Sequence, residues 1–159
     1  MTTTKTLEST VQPAKDQVTR PAVLITGALT GIGRATALAF AREGARIVNV
    51  SSTYGRAGAP GAALYVGSKR AVEGLTKAAA LESGETGVRI NVVAPGTTET
   101  GMLNRFTGTP ENKADLISSV PMKRIAQPEE IAEAILFLAN RASYITGASL
   151  AADGGKLAR

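Results

Sequence analysis

The sequence predicts an α/β sandwich built on a mainly parallel sheet, and two observations lead to that fold class. Apolar runs typical of buried strands, at 22–26, 46–50, 89–95 and 147–152, alternate with segments of helical periodicity. The chain has 159 residues, of which 43% are hydrophobic, which is enough for one core. We expect residues 21–159 to form a single domain and residues 1–20, which lack periodicity, to form a disordered or loosely docked arm.

The first two apolar runs are separated by a glycine-rich turn and one helix-periodic segment, RATALAFAREG at 34–44. A strand, a turn, a helix and a second strand in this order form a crossover unit, so these two strands are expected to pair in parallel. Residues 53–62, rich in Gly and Pro, are expected to form a loop.

A long helix is predicted next, from about Leu64 to Glu82. Its apolar or small residues are expected to face the core at 66, 71, 72, 75, 79 and 81. The apolar run 89–95 then predicts a buried strand that ends at Pro95 and Gly96.

The last third of the chain predicts a loop at 97–108, two helices and a final strand at 147–152. Thr109 and Pro110 are typical of a helix cap and a first helical residue, and Pro128 starts another helix in the same way. The apolar stripe of that second helix contains Ile131, Ala134, Ile135, Leu138 and Ala139.

Composition excludes several classes of function. The chain has no Cys and no His, which excludes thiol and imidazole catalysis and the common zinc sites, and we expect no metal site. Its net charge of +5 is not clustered and aromatic residues make up only 4%, so nucleic-acid binding is not expected. No apolar run approaches the about 20 residues of a membrane-spanning helix, and the first residues lack the apolar core of a secretory signal. We therefore expect a cytoplasmic protein without a membrane partner.

A glycine-rich segment, TGALTGIG at 26–33, lies where the first strand ends and the first helix begins. Gly27 permits a tight turn, Gly31 lets backbone amides approach a pyrophosphate, and Gly33 allows close packing of helix on strand. The N-terminus of the helix favours the anion. An ordinary glycine-rich turn is the alternative for this segment taken by itself.

Three side chains indicate proton-transfer chemistry. Tyr65 and Lys69 are four residues apart at the start of the long helix, so they lie on one face. A nearby ammonium favours the tyrosinate form, which makes Tyr65 a usable proton donor or acceptor. Ser52, thirteen residues before Tyr65, follows a strand at its carboxyl end, where open α/β sheets bind ligands. A surface pair without function and a serine that only caps the strand end are the alternatives.

Together these segments resemble the short-chain dehydrogenase/reductase family. The glycine-rich segment resembles its cofactor loop, NVSS at 49–52 the strand end with its serine, and YVGSK at 65–69 its Tyr-x-x-x-Lys motif. Three later segments also resemble the family: NVVAPG at 91–96 followed by Thr100, RIAQPEEIAEAILFLAN at 124–140 and YITGASLAADGG at 144–155. The resemblance covers nearly all of residues 22–155 and implies a Rossmann-like three-layer sandwich with a reduced number of strands.

The resemblance implies hydride transfer between a nicotinamide cofactor, NAD or NADP, and a small-molecule carbonyl or alcohol. Tyr65 would be the general acid in reduction, Lys69 would tune it and hold the nicotinamide ribose, and Ser52 would orient the carbonyl. The implied cofactor-binding residues are Gly27, Thr30, Gly31, Ile32, Gly33, Arg34, Pro95, Gly96 and Thr100. Arg34 slightly favours NADP, because a guanidinium can pair with a 2′-phosphate. The resemblance also implies a homo-oligomer, either a dimer or a tetramer.

The chain departs from the family between the first helix and the serine-bearing strand. Thr26 and Tyr65 are only 39 residues apart, and the strands and helices that the family places between them, with a catalytic asparagine, are absent. We infer an internal deletion, which is expected to bring strand 46–50 beside strand 22–26 or to leave the sheet to be completed by another chain. Reduced or absent turnover is the expected consequence.

Two interpretations besides an enzyme stay open. One is a non-catalytic remnant that acts as a binding or oligomerisation module, and the other is a nucleotide-binding regulator without hydride transfer. An enzyme must bind NADH or NADPH and lose activity on Tyr65→Phe. A non-catalytic remnant is expected to bind neither cofactor and to show no activity, whereas a regulator is expected to bind the cofactor without turnover.

Overall fold

The computed structural model describes residues 22–24, 39–40 and 45–158 of the chain. The arm expected at 1–20 lies outside the described residues. Within the described part, four strands form one parallel sheet in the order β1 (Ala22–Leu24), β2 (Arg46–Val50), β3 (Arg89–Pro95) and β4 (Ser149–Ala152). The predicted α/β fold with a parallel sheet is confirmed.

β2 pairs directly with β1, and the register places Ile47 beside Val23 on one side and beside Ile90 of β3 on the other. The predicted parallel pairing of the first two strands is therefore confirmed. β4 is shorter than the predicted strand 147–152, because Gly147 has a φ of 71°, a left-handed conformation that an extended strand does not contain.

The helices with described bounds are α1 (Ala63–Glu82), α2 (Gly101–Thr107), α3 (Pro110–Ser118) and α4 (Pro128–Leu136), which continues as a π-helical turn (Phe137–Arg141). Short 3₁₀ turns occur at Thr53–Gly55 and Gly84–Thr86. The predicted starts of α3 and α4 are confirmed. No helix in the described ranges is both long enough and apolar enough to cross a membrane.

Helices cover both faces of the sheet and produce three layers. On one face, Ile47 and Ile90 pack with Ala80 of α1. On the opposite face, Val48 and Val93 pack with the predicted apolar stripe of α4 and the π-helical turn, which contributes Ile131, Ala134, Ile135, Leu138 and Ala139. Alternating residues of β2 and β3 thus supply the two halves of the core.

The buried face of α1 differs from the predicted one. Leu75 and Leu81, expected to face the core, are 49% and 86% exposed, whereas Thr76 and Ala80 are buried. Thr76 can occupy a buried position because its hydroxyl accepts a hydrogen bond from the Asn49 amide and donates to a carbonyl one turn earlier. Two hydrogen-bonded polar side chains, Asn49 of β2 and Thr76 of α1, therefore take the place of an apolar contact.

The prediction of a loop at 97–108 was wrong, because this segment contains α2. The Thr100 hydroxyl caps the helix by accepting a hydrogen bond from the backbone N–H of Leu103 at 3.3 Å. Leu103 is buried, and Gly108 ends the helix with a φ of 70°. A threonine cap followed by one buried leucine is a short signal that a search for longer periodicity passes over.

Two polar side chains of β3 hold the segment between α4 and β4 against the sheet. The Arg89 guanidinium donates to the carbonyls of Leu138 and Ala139 at 2.7 and 2.6 Å, and burial lowers its pKa. The Asn91 side chain is buried and hydrogen-bonds the backbone of residues 145–148 through both its amide nitrogen and its oxygen. These bonds fix where β4 begins.

The N-terminus of α4 is stabilised by Glu130. Its carboxylate accepts a hydrogen bond from the backbone N–H of Gln127 at 2.8 Å and pairs with both terminal nitrogens of Arg124 at 2.8 and 2.7 Å. The Arg124 guanidinium, and secondly the Gln127 N–H, lower the pKa of Glu130 from 4.5 to about 2.

Glu130→Gln is expected to remove a pH-dependent part of the stability. Because the folded-state pKa is lowered, the stabilisation is present above about pH 4.5 and is lost as the pH falls toward 2. The unsubstituted protein should therefore have the higher Tm at pH 6 to 7, and the difference should shrink toward pH 2.5 in thermal unfolding followed by circular dichroism.

Glu129→Gln is the matched control, since it neutralises the neighbouring exposed carboxylate of the same helical turn. Its effect on Tm should be smaller and should change less with pH across this range. If the Tm difference between Glu130→Gln and the unsubstituted protein stays constant down to pH 2.5, the lowered pKa of Glu130 does not contribute to stability and the prediction is wrong.

Candidate active site

The serine turn, residues 51–56, lies directly beyond the carboxyl end of β2. The backbone N–H of Ser51 donates to the Val93 carbonyl at 2.8 Å, so the β2–β3 pairing continues into the turn. Ser52 is 9% exposed, and its hydroxyl oxygen accepts a hydrogen bond from the backbone N–H of Tyr54 at 3.2 Å. The Ser52 side chain thereby caps the 3₁₀ turn and is held at the edge of the sheet.

Tyr65 lies in the first turn of α1, which starts just after Gly61, a residue with a φ of 75°. The Tyr65 side chain is 39% exposed and its ring meets the ring of Tyr54 edge to face, with centroids 6.3 Å apart. The serine turn and the start of α1 are therefore in direct contact through two aromatic rings.

Lys69 lies one turn further along α1, on the same face as Tyr65. Its Nζ atom donates to the carbonyl of Val50 at 3.1 Å and lies 5.5 Å from the centroid of the Tyr65 ring. This position allows a cation–π attraction between the ammonium and the phenol ring. The last carbonyl of β2 thus anchors the cation beside the candidate proton donor.

The segment after β3 forms the remaining part of the carboxyl edge of the sheet. Gly96 donates its backbone N–H to the Ala152 carbonyl, and a Cβ atom at this position would lie 2.7 Å from the Cα of Asp153, so only glycine fits. Thr100, predicted to contact a nicotinamide, uses its hydroxyl oxygen as the cap of α2 described above.

A cleft of about 1020 Å³ opens between these elements. It is bordered by the sequence-predicted residues Ser52, Tyr65, Lys69, Pro95, Gly96 and Thr100. The cleft is also bordered by apolar side chains that the sequence did not single out: Leu64, Met102, Leu103, Phe106 and Leu116. Met102 and Phe106 are four residues apart on α2, and they were missed because α2 itself was missed.

The other predicted cofactor residues cannot be placed relative to this cleft. Gly27, Thr30, Gly31, Ile32, Gly33 and Arg34 lie outside the described residues. Among the residues that the structure does describe, no group of three or more Asp or Glu side chains is arranged to hold a metal ion.

Comparison with known proteins identifies relatives of this chain. A family model described as Enoyl-(Acyl carrier protein) reductase matches residues 45–156. The chain is 48% identical over 114 residues to A-factor type gamma-butyrolactone 1'-reductase (1S-forming) of Streptomyces virginiae, covering 70% of this chain and 44% of that protein. It is 44% identical over 110 residues to cyclopentanol dehydrogenase of Comamonas testosteroni, covering 69% of this chain and 44% of that protein.

A solved structure described as ElxO with NADP bound matches with a TM-score of 0.72 and 37% identity, covering 80% of this chain and 53% of that one. The chain thus spans about half the length of the relatives that it matches. The family model covers more than half of the chain, and the relatives and the solved structure agree with it. The chain therefore belongs to the short-chain dehydrogenase/reductase family.

Proposed function

We propose that the chain is an NAD(P)-dependent oxidoreductase that transfers hydride between a nicotinamide and a small-molecule carbonyl or alcohol. One observation carries this proposal: the Ser52 hydroxyl, the Tyr65 phenol and the Lys69 ammonium border one cleft at the carboxyl edge of the sheet. These three groups are suited to orient a carbonyl, to deliver a proton and to stabilise the charge left on the phenol.

In the direction of reduction, Ser52 donates a hydrogen bond to the substrate carbonyl oxygen. Its oxygen already accepts from the Tyr54 N–H, which leaves the hydroxyl hydrogen to donate. Tyr65 transfers its phenolic proton to the same carbonyl oxygen as that oxygen becomes a hydroxyl. A nicotinamide held beside these residues would supply the hydride chemistry, giving hydride to the carbonyl carbon in reduction and taking it back in oxidation.

The residues of the cleft fit a nicotinamide nucleotide. An ammonium has three hydrogens, so the bond from Lys69 to Val50 leaves donors for ribose hydroxyls. The Pro95–Gly96 segment and Thr100 would adjoin the nicotinamide, and the glycine-rich segment 26–33 would hold the pyrophosphate. We propose NADP(H) as the preferred form, supported by Arg34 and by the related structure that contains NADP.

The substrate that we propose carries its carbonyl on an apolar body. Leu64 and Phe106 on the wall of the cleft are 93% and 69% exposed, and no Asp or Glu occurs among the described residues that border it. Apolar side chains left in water beside polar catalytic groups are typical of a surface that a ligand covers.

Tyr65→Phe is expected to lower kcat by at least about 100-fold, because the proton donor is removed. The Kd for NADPH, measured by the fluorescence of the reduced nicotinamide, should stay within about twofold, since the phenyl ring keeps its contact with Tyr54. The inferred deletion predicts that turnover is already low in the unsubstituted protein, so product must be followed over long times.

Tyr144→Phe is the matched control, because Tyr144 is fully exposed and does not border the cleft. Gly31→Asp should abolish saturable cofactor binding by placing a carboxylate at the phosphate loop. Full turnover in Tyr65→Phe would refute the proposed proton donor. Absence of binding to both NADH and NADPH by the unsubstituted protein would refute the enzyme proposal.

Phe106→Ser is expected to distinguish large apolar substrates from small ones. The substitution removes apolar contact area for the substrate body, so KM for 2-octanone should rise about tenfold while KM for acetone changes little. Phe137→Ser, at a half-exposed position outside the cleft, is the control. Equal changes for both ketones would contradict an apolar subsite on α2.

An oligomerisation module is the second candidate function, and the outer face of α1 favours it. Leu75 and Leu81 are both exposed on this helix, about 120° apart around its axis, and large apolar side chains left exposed are a feature of interfaces. The double substitution Leu75→Lys and Leu81→Lys is therefore expected to convert a dimer or tetramer to monomers in size-exclusion chromatography with light scattering. Met122→Lys, an exposed apolar position outside α1, should leave the mass unchanged. A monomeric unsubstituted protein would exclude this role.

A further inference from the structure

Tyr65, Lys69 and Glu73 recur every fourth residue along α1 and form one stripe that faces the serine turn. The first two contact the turn and the end of β2 as described above. Glu73 continues the stripe away from the cleft, and its carboxylate Oε2 pairs with Arg56 Nε at 3.4 Å. Neither Glu73 nor Arg56 borders the cleft, so neither is a candidate to touch the substrate.

Glu73 is unusually buried for an acidic residue. It is 7% exposed, and its Oε1 atom is buried without a hydrogen-bond donor among the described residues. A Cβ atom at Gly55 would lie 2.9 Å from Oε1 and 2.5 Å from the Ser51 hydroxyl oxygen. The carboxylate therefore packs directly on the backbone of the serine turn, and glycine at position 55 permits that approach.

Arg56 connects the serine turn to two other elements at once. While its Nε faces Glu73 of α1, its Nη2 atom donates to the carbonyl of Ser149 in β4 at 2.5 Å. The backbone carbonyl of Arg56 in turn accepts from Arg70 of α1 at 2.9 Å. A planar guanidinium with several fixed donors can make such a connection, whereas the single ammonium of lysine cannot reach both partners in the same geometry.

Burying a carboxylate in this way is costly, because desolvation can exceed the attraction of the pair. Because well-packed apolar residues often serve a fold as well as such a pair, net stability is a weak account of the pair. What the contacts do provide is a fixed distance between the serine turn and α1. Ser52 and Tyr65 lie on these two different elements, and they must act on one carbonyl oxygen.

We propose that Arg56 and Glu73 are positioning residues that hold Ser52 at its working distance from Tyr65 and Lys69. The catalytic part of this inference rests on the proposed function, whereas the anchoring of the turn can be tested without it. A displacement of about 1 Å between reacting groups can cost up to about 100-fold in rate, so loosening the turn should lower kcat and leave cofactor affinity unchanged.

The experiment compares Arg56→Gln with Lys77→Gln, which removes the same charge from an exposed position of α1. Hydrogen exchange followed by mass spectrometry reports the protection of residues 51–57, and steady-state kinetics with NADPH titration report kcat, KM and cofactor Kd. Arg56→Gln should speed exchange in residues 51–57 and lower kcat about tenfold to 100-fold, with Kd within about twofold. Lys77→Gln should behave as the unsubstituted protein, and Arg56→Lys should be intermediate.

Unchanged exchange in residues 51–57 of Arg56→Gln would overturn the proposal. An equal increase in α4 would also overturn it, because the pair would then act on overall stability. If Arg56→Gln does not fold, Arg56→Lys, which keeps the charge, decides between the same outcomes. A protein that binds no cofactor refutes the proposed function alone, since the exchange experiment still tests the anchoring of the turn.

Discussion

The parallel register between β2 and β3 is the constraint on which the rest of the site depends. Five residue pairs, from Arg46 beside Arg89 to Val50 beside Val93, align the two carboxyl ends, and the bond from Ser51 to Val93 extends that alignment into the serine turn. A slip of β2 by one residue relative to β3 would turn Ile47 away from α1 and would shift Ser52 by one residue along the edge. The apolar core on both faces therefore also fixes the position of the polar groups at the edge.

The α1 helix adds a second constraint. The side chains on its inner face are polar near the site and small further along the helix. The helix is bound to the sheet edge through Lys69 and to β2 through Thr76, while Ala80 packs in the core. Hydrogen bonds have defined lengths and directions, so they fix the rotation of a helix more narrowly than apolar contact does. The same helix presents leucines to the outside, whereas its buried residues Glu73, Thr76 and Ala80 are polar or small.

Local signals in the sequence were sufficient for most of the elements and for part of the site, but not for α2. The Thr109 and Pro128 helix starts and the strands 46–50 and 89–95 follow from caps and apolar runs, and the spacing of Tyr65 and Lys69 follows from helical geometry. The polar inner face of α1 could not be predicted, because Thr76 and Glu73 are buried against partners, Asn49 and Arg56, that lie far away in sequence. Arg56 itself gives no sequence signal, since its role depends on a contact with β4.

The placement of β4 has a consequence for how the protein is made. β3 pairs with β4 over four residues, from Val92 to Pro95, yet the α2, α3 and α4 helices are all synthesised between these two strands. Until β4 docks, one side of β3, the apolar strand at the centre of the core, exposes unpaired backbone groups that can recruit a strand from another chain. The interval between the synthesis of β3 and β4 is thus when a chaperone that covers strand edges would most raise the yield of folded protein.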